Sequence, residues 1–597
     1  MLALANHTQQ AQRLLEPSCG SGNFLRRAVS QGKQAGRQPL ELVGVEQNPQ
    51  ALQLAQCLLS SEMASIQLLS NNFLTLGPET LGYFDLIIGN PPYVRQEILS
   101  QSPDKDKLNH SKSYALLFKD YINHYPEQKK LFSQKADLYQ WFFLQAFRLL
   151  RPEGTLAFVV SNSWLHAQFG QYLRHFLSHH FNWLYIVESA CERWFVDAAI
   201  NPVIVVLQRK KTANEAASNP CALIRLHQHL SNWMPNTAAP DYWQQLKLKI
   251  QTLPQDDTVS FQTFTGPQWV ELEKAGGWNL AFRAPQSLIH LSRQPQLWKP
   301  LSLLGHVCYP LKTGINAFFY LSGEQAEKWG IEPEFLVPVI RSVKKIKYLN
   351  ITANEQSEFL FHCTLSKSEL MARGKTGALN YIEWGEQQSS PPRQKRPLAT
   401  PWPEIPSVRN NHPWYSVRVL PTPHLLCNRF IDQRFFFALC HGDWLVDQVF
   451  YGLTLHQPEQ YPPDFIAALL NSTLCCAMLE FKGRASLGEG VLQFARCDMA
   501  DFPIINPDLY TEGERAVIRQ AFQALAESPL SAWSKSNSQP QRITLDSAVL
   551  TPLFKHFNWP ITPQELRTEL AQSILKRVQE RKKIAQSVRH AATSQAI

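Results

Sequence analysis

At 597 residues and 44% hydrophobic content, the chain is long enough to bury more than one core, so two or three domains are expected. A formal net charge of +9 permits a nucleic-acid partner without requiring one. Eleven cysteines with no Cys-x-x-Cys pair fit neither a disulfide framework nor a zinc site, and the absence of an apolar run of about eighteen residues or of a signal-like N-terminus points to a cytoplasmic protein without a membrane partner.

In chain order, the first candidate strand is Leu14-Leu15, followed by Glu41-Leu42-Val43-Gly44-Val45-Glu46 and Tyr83-Phe84-Asp85-Leu86-Ile87-Ile88. Thr155-Leu156-Ala157-Phe158-Val159-Val160 and Val203-Ile204-Val205-Val206-Leu207 complete the set. Each is short, apolar and bounded by polar residues or Gly and Pro, and helical patterns lie between them, which predicts an α/β, Rossmann-like domain over 1–211. After Arg209-Lys210-Lys211 prolines and tryptophans become frequent and the alternation is lost. A second, mixed α+β domain is therefore expected over 212–562. Its proline-dense stretch from Ser389 to Pro413 reads as a surface loop or linker outside any core. From Pro563 to the end, 563–597, Leu566, Leu570, Ile574 and Val578 recur at helical spacing. Lys576, Arg577, Arg581, Lys582 and Lys583 make that helix basic, either as a solvated face or as a phosphate contact.

Three motifs carry chemistry. Glu16-Pro17-Ser18-Cys19-Gly20-Ser21-Gly22-Asn23 sits between a strand and a helix, where glycines let backbone approach a ligand closely. The next strand ends in Glu46, the place where an acidic side chain in such a sheet accepts hydrogen bonds from both ribose hydroxyls. A glycine turn beside a surface glutamate is the alternative reading of these two elements. The third motif is more specific: Asn90-Pro91-Pro92-Tyr93 follows directly on a buried strand. Two prolines cannot continue a sheet and fix a rigid extended turn at the strand end where this architecture binds ligands.

These motifs, in this order, resemble the adenine-N6 DNA methyltransferases, in particular the methylase part of type IIG restriction-modification enzymes and the related methylases of phage-defence (BREX) systems. The string Gly89-Asn90-Pro91-Pro92-Tyr93-Val94-Arg95-Gln96-Glu97 is similar to that branch. So are Ala136-Asp137-Leu138-Tyr139, Leu149-Leu150-Arg151-Pro152-Glu153-Gly154 and Ser161-Asn162-Ser163-Trp164-Leu165. Lys312-Thr313-Gly314-Ile315-Asn316-Ala317-Phe318 and Ala467-Ala468-Leu469-Leu470-Asn471-Ser472 resemble parts of a TaqI-like target-recognition domain. The resemblance implies S-adenosylmethionine as methyl donor, double-stranded DNA as partner and no metal for methyl transfer. It implies Glu16, Pro17, Cys19, Gly20, Gly22, Glu46, Asn72 and Phe73 as cofactor-binding residues, and Asn90, Pro91, Pro92 and Tyr93 as the catalytic turn. Tyr93 and a second aromatic stack on the target base; Phe195 fits that pattern best, with Trp194 as the competing choice.

The chemistry accounts for these residue types. The exocyclic amine of adenine is a poor nucleophile, its lone pair being delocalised into the ring. If the Asn90 side-chain oxygen and the Pro91 carbonyl accept its two hydrogens, the lone pair is freed toward the methyl group and the developing positive charge is stabilised. The base must leave the duplex for this, and aromatic contacts replace its lost stacking.

Two departures from the family pattern are expected to matter. Asn72 stands where the family has an acidic residue, though its amide oxygen still accepts a hydrogen bond from the cofactor's adenine amine. Only Met1 to Arg13 precede or open the first strand, too short for the family's upstream helical segment. A separately encoded segment or another defence-system subunit is the partner this shortness implies, and a DNA-binding remnant without methyl transfer is the alternative function. An RNA or protein-glutamine methyltransferase is a further alternative. Nuclease activity is not expected: Glu580-Arg581-Lys582 has suitable letters but lies in the C-terminal helix.

Overall fold

The computed structural model describes residues 1–5, 12–34, 41–60, 66–93, 137–165, 170–192, 194–195, 201–212, 221–229, 248, 259–265, 278–352, 358–391, 399–442, 444–484 and 490–594. Two compact units divide the chain. The first comprises Met1–Ala284, Arg484–Gly490 and Gln579–Ile597, the second Pro285–Gly483 and Val491–Val578.

The first unit is built on one nine-stranded sheet. Its strands are β1 (Arg13–Glu16), β2 (Glu41–Glu46), β3 (Ile66–Ser70), β4 (Phe84–Gly89), β5 (Leu150–Ser161), β6 (Phe181–Ser189), β7 (Pro202–Arg209), β8 (Cys221–Leu226) and β9 (Val259–Phe264). The order is β3-β2-β1-β4-β5-β7-β6-β8-β9. β1 to β5 pair in parallel, whereas β7 runs antiparallel to both β5 and β6. All five expected strands form. The sheet does not stop where the composition changes after Lys211: β8 pairs in parallel with β6 and β9 closes antiparallel on β8. These two strands were missed because Arg225 and Gln262 interrupt their apolar pattern and no helical pattern separates them clearly.

Helices cover both faces. Alternate residues of each strand point to opposite sides, so Leu14, Leu86, Ile88 and Ala157 share one core cluster. That cluster also takes residues of α1 (Leu2–Ala5), α2 (Asn23–Gln34) and α3 (Pro49–Leu58). α3 starts sharply because Asn48 accepts from the Gln50 and Ala51 N–H groups and Pro49 opens the first turn. α4 (Pro78–Leu81) follows β3, and α5 (Leu138–Leu149) lies on the opposite face, where Phe143 meets Phe158 of β5 edge-on at 5.1 Å. α5 is buried almost all round, which explains its apolar run Leu138-Tyr139-Gln140-Trp141-Phe142-Phe143-Leu144. α6 (Gly170–His180) ends in His180, whose ring burial pushes its pKa down to about 3.

The second unit holds a five-stranded and a four-stranded sheet and its own aromatic-rich core, so it is more regular than its sequence texture suggests. The proline-dense stretch is not outside this core. Trp402, Ile405 and Val408 are 7%, 4% and 0% exposed and belong to it, because the prolines shape short turns that fold these three side chains inward. The helix Pro563–Ser594 forms as expected, but its basic cluster is not one solvated face. Arg577 and Arg581 are buried; Arg581 donates to the Gly490 carbonyl, and Glu580 accepts from Arg225 at 2.7 Å. Among the described residues no single helix is long and apolar enough to cross a membrane.

At the amino-terminal edge of the sheet Asp85 ties three strands together. Its carboxylate accepts from the Gln12 and Arg13 N–H groups at 2.9 and 3.0 Å and from Arg151 at 2.7 Å. Burial alone would raise its pKa, but these donors together hold it below the usual carboxylate value. Asp85→Ala is expected to cost about 1–3 kcal/mol, read as a lower urea midpoint at neutral pH. A depressed folded pKa contributes stability above the unfolded value of about 3.9 that is lost as pH falls through the folded one. The gap between parent and variant should therefore shrink on acidification below pH 4.

Candidate active site

The order β3-β2-β1-β4 sets the carboxyl ends of these four strands side by side, and the winding reverses between β1 and β4. In an open α/β sheet a crevice forms outside the strand ends at such a reversal. The glycine loop after β1 enters it with Gly20 at φ 52° and Gly22 at φ 77°, conformations that side chains with a Cβ avoid. The Gly22 N–H donates to Cys19 O at 2.7 Å and the Cys19 N–H to Val45 O at 3.0 Å, pinning the loop to β2. A Cβ on Gly20 would meet nothing within 4 Å, so the backbone there faces open space, whereas one on Gly22 would lie 2.8 Å from Leu59 Cδ1.

Glu46 stands at the end of β2. One of its oxygens accepts the Gly20 N–H and the other the Asn48 N–H, both at 2.8 Å. A carboxylate offers about four acceptor positions, so two remain for a ligand. Glu16 behaves differently: it is 2% exposed and accepts the Leu25 N–H of α2 at 3.2 Å. Burial pushes its carboxyl well above the usual range against that hydrogen bond, with the nearby Glu46 charge adding to the rise. Cys19 is likewise buried, its thiol pushed up to about 12 mainly by burial, so it fills the loop as an inert apolar group.

Beyond β3, the Asn71 N–H donates to Glu46 O at 3.1 Å. Asn72 caps the short helix Phe73–Thr75, its side-chain oxygen accepting the Leu74 N–H at 3.0 Å. Phe73, expected beside a cofactor, is only 2% exposed and packs on Phe142 of α5 at 5.1 Å. Its ring supports the segment from the core side.

At the end of β4 the approach to the glycine loop is close. A Cβ on Gly89 would lie 3.2 Å from Pro17 Cδ, and the Ser18 hydroxyl donates to the Asn90 carbonyl at 3.1 Å. Pro91 is buried, while Asn90, Pro92 and Tyr93 are half-buried. The Tyr93 hydroxyl lies 2.5 Å from Asn90 Oδ1 and 3.0 Å from the Val159 carbonyl of β5. Burial holds its phenol above the ordinary pKa, so it carries one proton facing two acceptors. The Phe195 ring meets the Tyr93 ring at 6.1 Å, inclined by 60°, whereas Trp194 packs against the core cluster. Residues 94–97, Ala136, Arg193 and residues 196–198 of the motifs lie outside the described residues.

Sequence reasoning did not single out Val159 or Gln145. A main-chain carbonyl carries no sequence signal, but a glutamine inside the otherwise apolar run of α5 does. Among the described residues no group of three or more His, Cys, Asp or Glu side chains is placed to hold a metal ion.

The strand order with β7 antiparallel between β5 and β6, the glycine loop after β1 and the acidic end of β2 define the Rossmann-like fold of S-adenosylmethionine-dependent methyltransferases. Residues 48–195 match the family description "Eco57I restriction-modification methylase" and residues 286–531 match "Type II methyltransferase M.Eco57I, C-terminal domain". The chain belongs to the Eco57I-type restriction-modification methylases. It is 24% identical to Type II methyltransferase M.BstVI of Geobacillus stearothermophilus over 55% of this chain and 58% of that one. It is 21% identical to M.AccI of Acinetobacter calcoaceticus over 68% of this chain and 67% of that one. The match spans 21% of M.XhoI of Xanthomonas vasicola, so the chain covers less than two thirds of several such relatives. In fold it is similar to the type IIL restriction-modification enzyme MmeI, solved in complex with DNA, with a TM-score of 0.56, 14% identity and coverage of 94% of this chain and 73% of that one.

The two loop glycines are expected to differ on substitution. Gly20→Ala should cost about 1–2 kcal/mol from backbone strain alone. Gly22→Ala should cost more, because its Cβ also displaces Leu59; thermal denaturation of both variants measures the difference.

Proposed function

We propose that this chain is a site-specific DNA methyltransferase that transfers a methyl group from S-adenosylmethionine to N6 of a flipped-out adenine, in restriction-modification or phage defence. The observation that carries this reading is the surplus of acceptors at the catalytic turn: Asn90 Oδ1 and the Val159 carbonyl converge on a single phenol proton. A buried acceptor without a donor is costly, and an amine bringing two N–H groups would satisfy Asn90 Oδ1 and the Pro91 carbonyl while Tyr93 keeps its bond to Val159. The Tyr93 proton then acts as a placeholder for the substrate.

The residues fit the cofactor. Gly20 leaves its backbone open, Glu46 retains acceptor positions for two ribose hydroxyls, and Asn72 retains one oxygen lone pair for the adenine amine. Bound there, S-adenosylmethionine would supply an already activated methyl group. The chain's contribution is to orient and polarise the amine. Asn90 and Pro91 accept its hydrogens, stabilise the charge that develops on nitrogen and leave its lone pair free. Between Tyr93 and Phe195 a base needs ring planes about 7 Å apart, twice a van der Waals contact. From 6.1 Å and 60°, the rings must part slightly and swing parallel as the base enters.

Double-stranded DNA as the partner is supported by the family match of the second unit, whose residues 286–531 belong to the same methylase family. Base-reading side chains in that unit would select the site and basic side chains would hold phosphates.

Asn90→Ala is expected to abolish tritiated methyl transfer to duplex DNA while leaving S-adenosylhomocysteine affinity within a few-fold. Tyr93→Ala should lower the rate by about one to two orders of magnitude through lost stacking. Near-parent methylation by Asn90→Ala in an active preparation would remove the catalytic turn from the mechanism. For Glu46→Ala, calorimetry should give a cofactor dissociation constant about ten- to a hundredfold higher, since hydroxyls bonded to a charged acceptor lose about 1.5–3 kcal/mol. Equal binding by parent and variant would move the ribose contact elsewhere.

A further inference from the structure

α5 carries two glutamines, and the amide nitrogen of one of them is spent wholly on a neighbouring segment. Gln145 is 0% exposed. Its amide nitrogen, which has two hydrogens to give, donates to the Phe73 carbonyl at 3.1 Å and to the Leu76 carbonyl. Its oxygen accepts from Arg148 at 2.9 Å. Phe73 and Leu76 bracket the short helix that Asn72 caps, and the Phe73 ring rests on Phe142, one helical turn before Gln145. The capping segment is thus held to α5 by one ring contact and one amide.

An uncharged polar side chain at a fully buried position of an apolar helix costs folding free energy unless its bonds are made. Leucine or methionine would fill the position without that requirement. The two bonds of the Gln145 amide nitrogen end on main-chain carbonyls of one short turn and so fix its orientation. The functional group whose direction depends on that turn is the Asn72 amide. Its oxygen already gives one lone pair to the Leu74 N–H, so the direction of the other is set by the turn's geometry.

We propose that Gln145 is a positioning residue for recognition of the cofactor's adenine: through the Phe73 and Leu76 carbonyls it holds the Asn72 oxygen toward the adenine amino group. This rests on the reading of Asn72 as the adenine contact. A positioning role differs from a packing role in what it changes. A loosened turn loses discrimination between an amino group and an oxo group at the purine 6-position, while a packing defect weakens every ligand alike.

The test compares S-adenosylhomocysteine with S-inosylhomocysteine, in which an acceptor replaces the donor amine, by calorimetry on the full chain. Parent, Asn72→Ala, Gln145→Leu and Gln145→Met are measured. The parent should prefer the adenine ligand by about tenfold, the worth of one hydrogen bond. Asn72→Ala and both Gln145 variants should lose most of that preference, and Asn72→Ala/Gln145→Met should lose no more than Asn72→Ala alone. The methionine variant, unbranched and of similar length, serves if the leucine variant does not fold. If the parent and the Gln145 variants discriminate equally while Asn72→Ala does not, Gln145 only packs the helix and the proposal fails. A parent that does not discriminate overturns the Asn72 contact itself, and the role of Gln145 with it.

Discussion

The glycine loop after β1 is held by hydrogen bonds from both sides, and the arrangement of the whole site follows from them. Toward β2 the Gly20 N–H reaches Glu46; toward β4 the Ser18 hydroxyl reaches the Asn90 carbonyl. β1 lies between β2 and β4 in the sheet, so the loop spans the one place where the winding direction reverses and no crossover helix fills the gap. The end of β2 and the end of β4 are thereby held in register with each other through a single loop. Group transfer requires such a fixed separation between donor and acceptor, since misplacement by about an ångström is costly to rate. Gly89 serves the same end, because any side chain there would push Pro17 away.

α5 contributes the second constraint from the opposite face. Tyr139, near its start, lies 3.5 Å from the Ser163 hydroxyl beyond β5, and Gln145, about two turns on, holds the segment after β3. A helix buried on nearly all sides cannot tilt without opening its core. It therefore links the two outer parts of the site more stiffly than the loops between them could. The Tyr139 hydroxyl and the Gln145 amide nitrogen, both carried inward by this helix, meet a hydroxyl and two carbonyls at the site's edges, so burial and positioning come from the same residues.

The C-terminal helix joins the same logic of buried charge. Arg225 pairs with Glu188 and with Glu580, and Arg283 forks onto Glu188 through its Nε and Nη2. The side chains of Glu188, Arg225 and Arg283 are each less than a tenth exposed. Such a group is costly to break by removing one member, because the others remain buried and charged. The arginine and glutamate letters near the chain end thus report internal pairing, not an exposed basic face.

Much of the first unit was legible without coordinates. Strands buried on both faces of a sheet read as short continuous apolar runs, and β1, β2, β4, β5 and β7 are of that kind. Glycines at positive φ and two consecutive prolines after a strand impose their backbone geometry locally, so the loop at Gly20 and Gly22 and the turn at Asn90 to Tyr93 could be placed on the sheet by order alone. What the local pattern could not carry was decided by tertiary structure. β8 and β9 join the first sheet through pairing partners far off in sequence, and Trp402, Ile405 and Val408 enter a core because neighbouring elements offer it. Arg577 and Arg581 are buried because distant acceptors meet them. The choice of Phe195 over Trp194 beside Tyr93, the turning of Phe73 into the core and the use of Gln145 on two carbonyls belong to the same class. Each depends on which side of an element faces a distant partner, and a sequence records the side chain but not the partner it will meet.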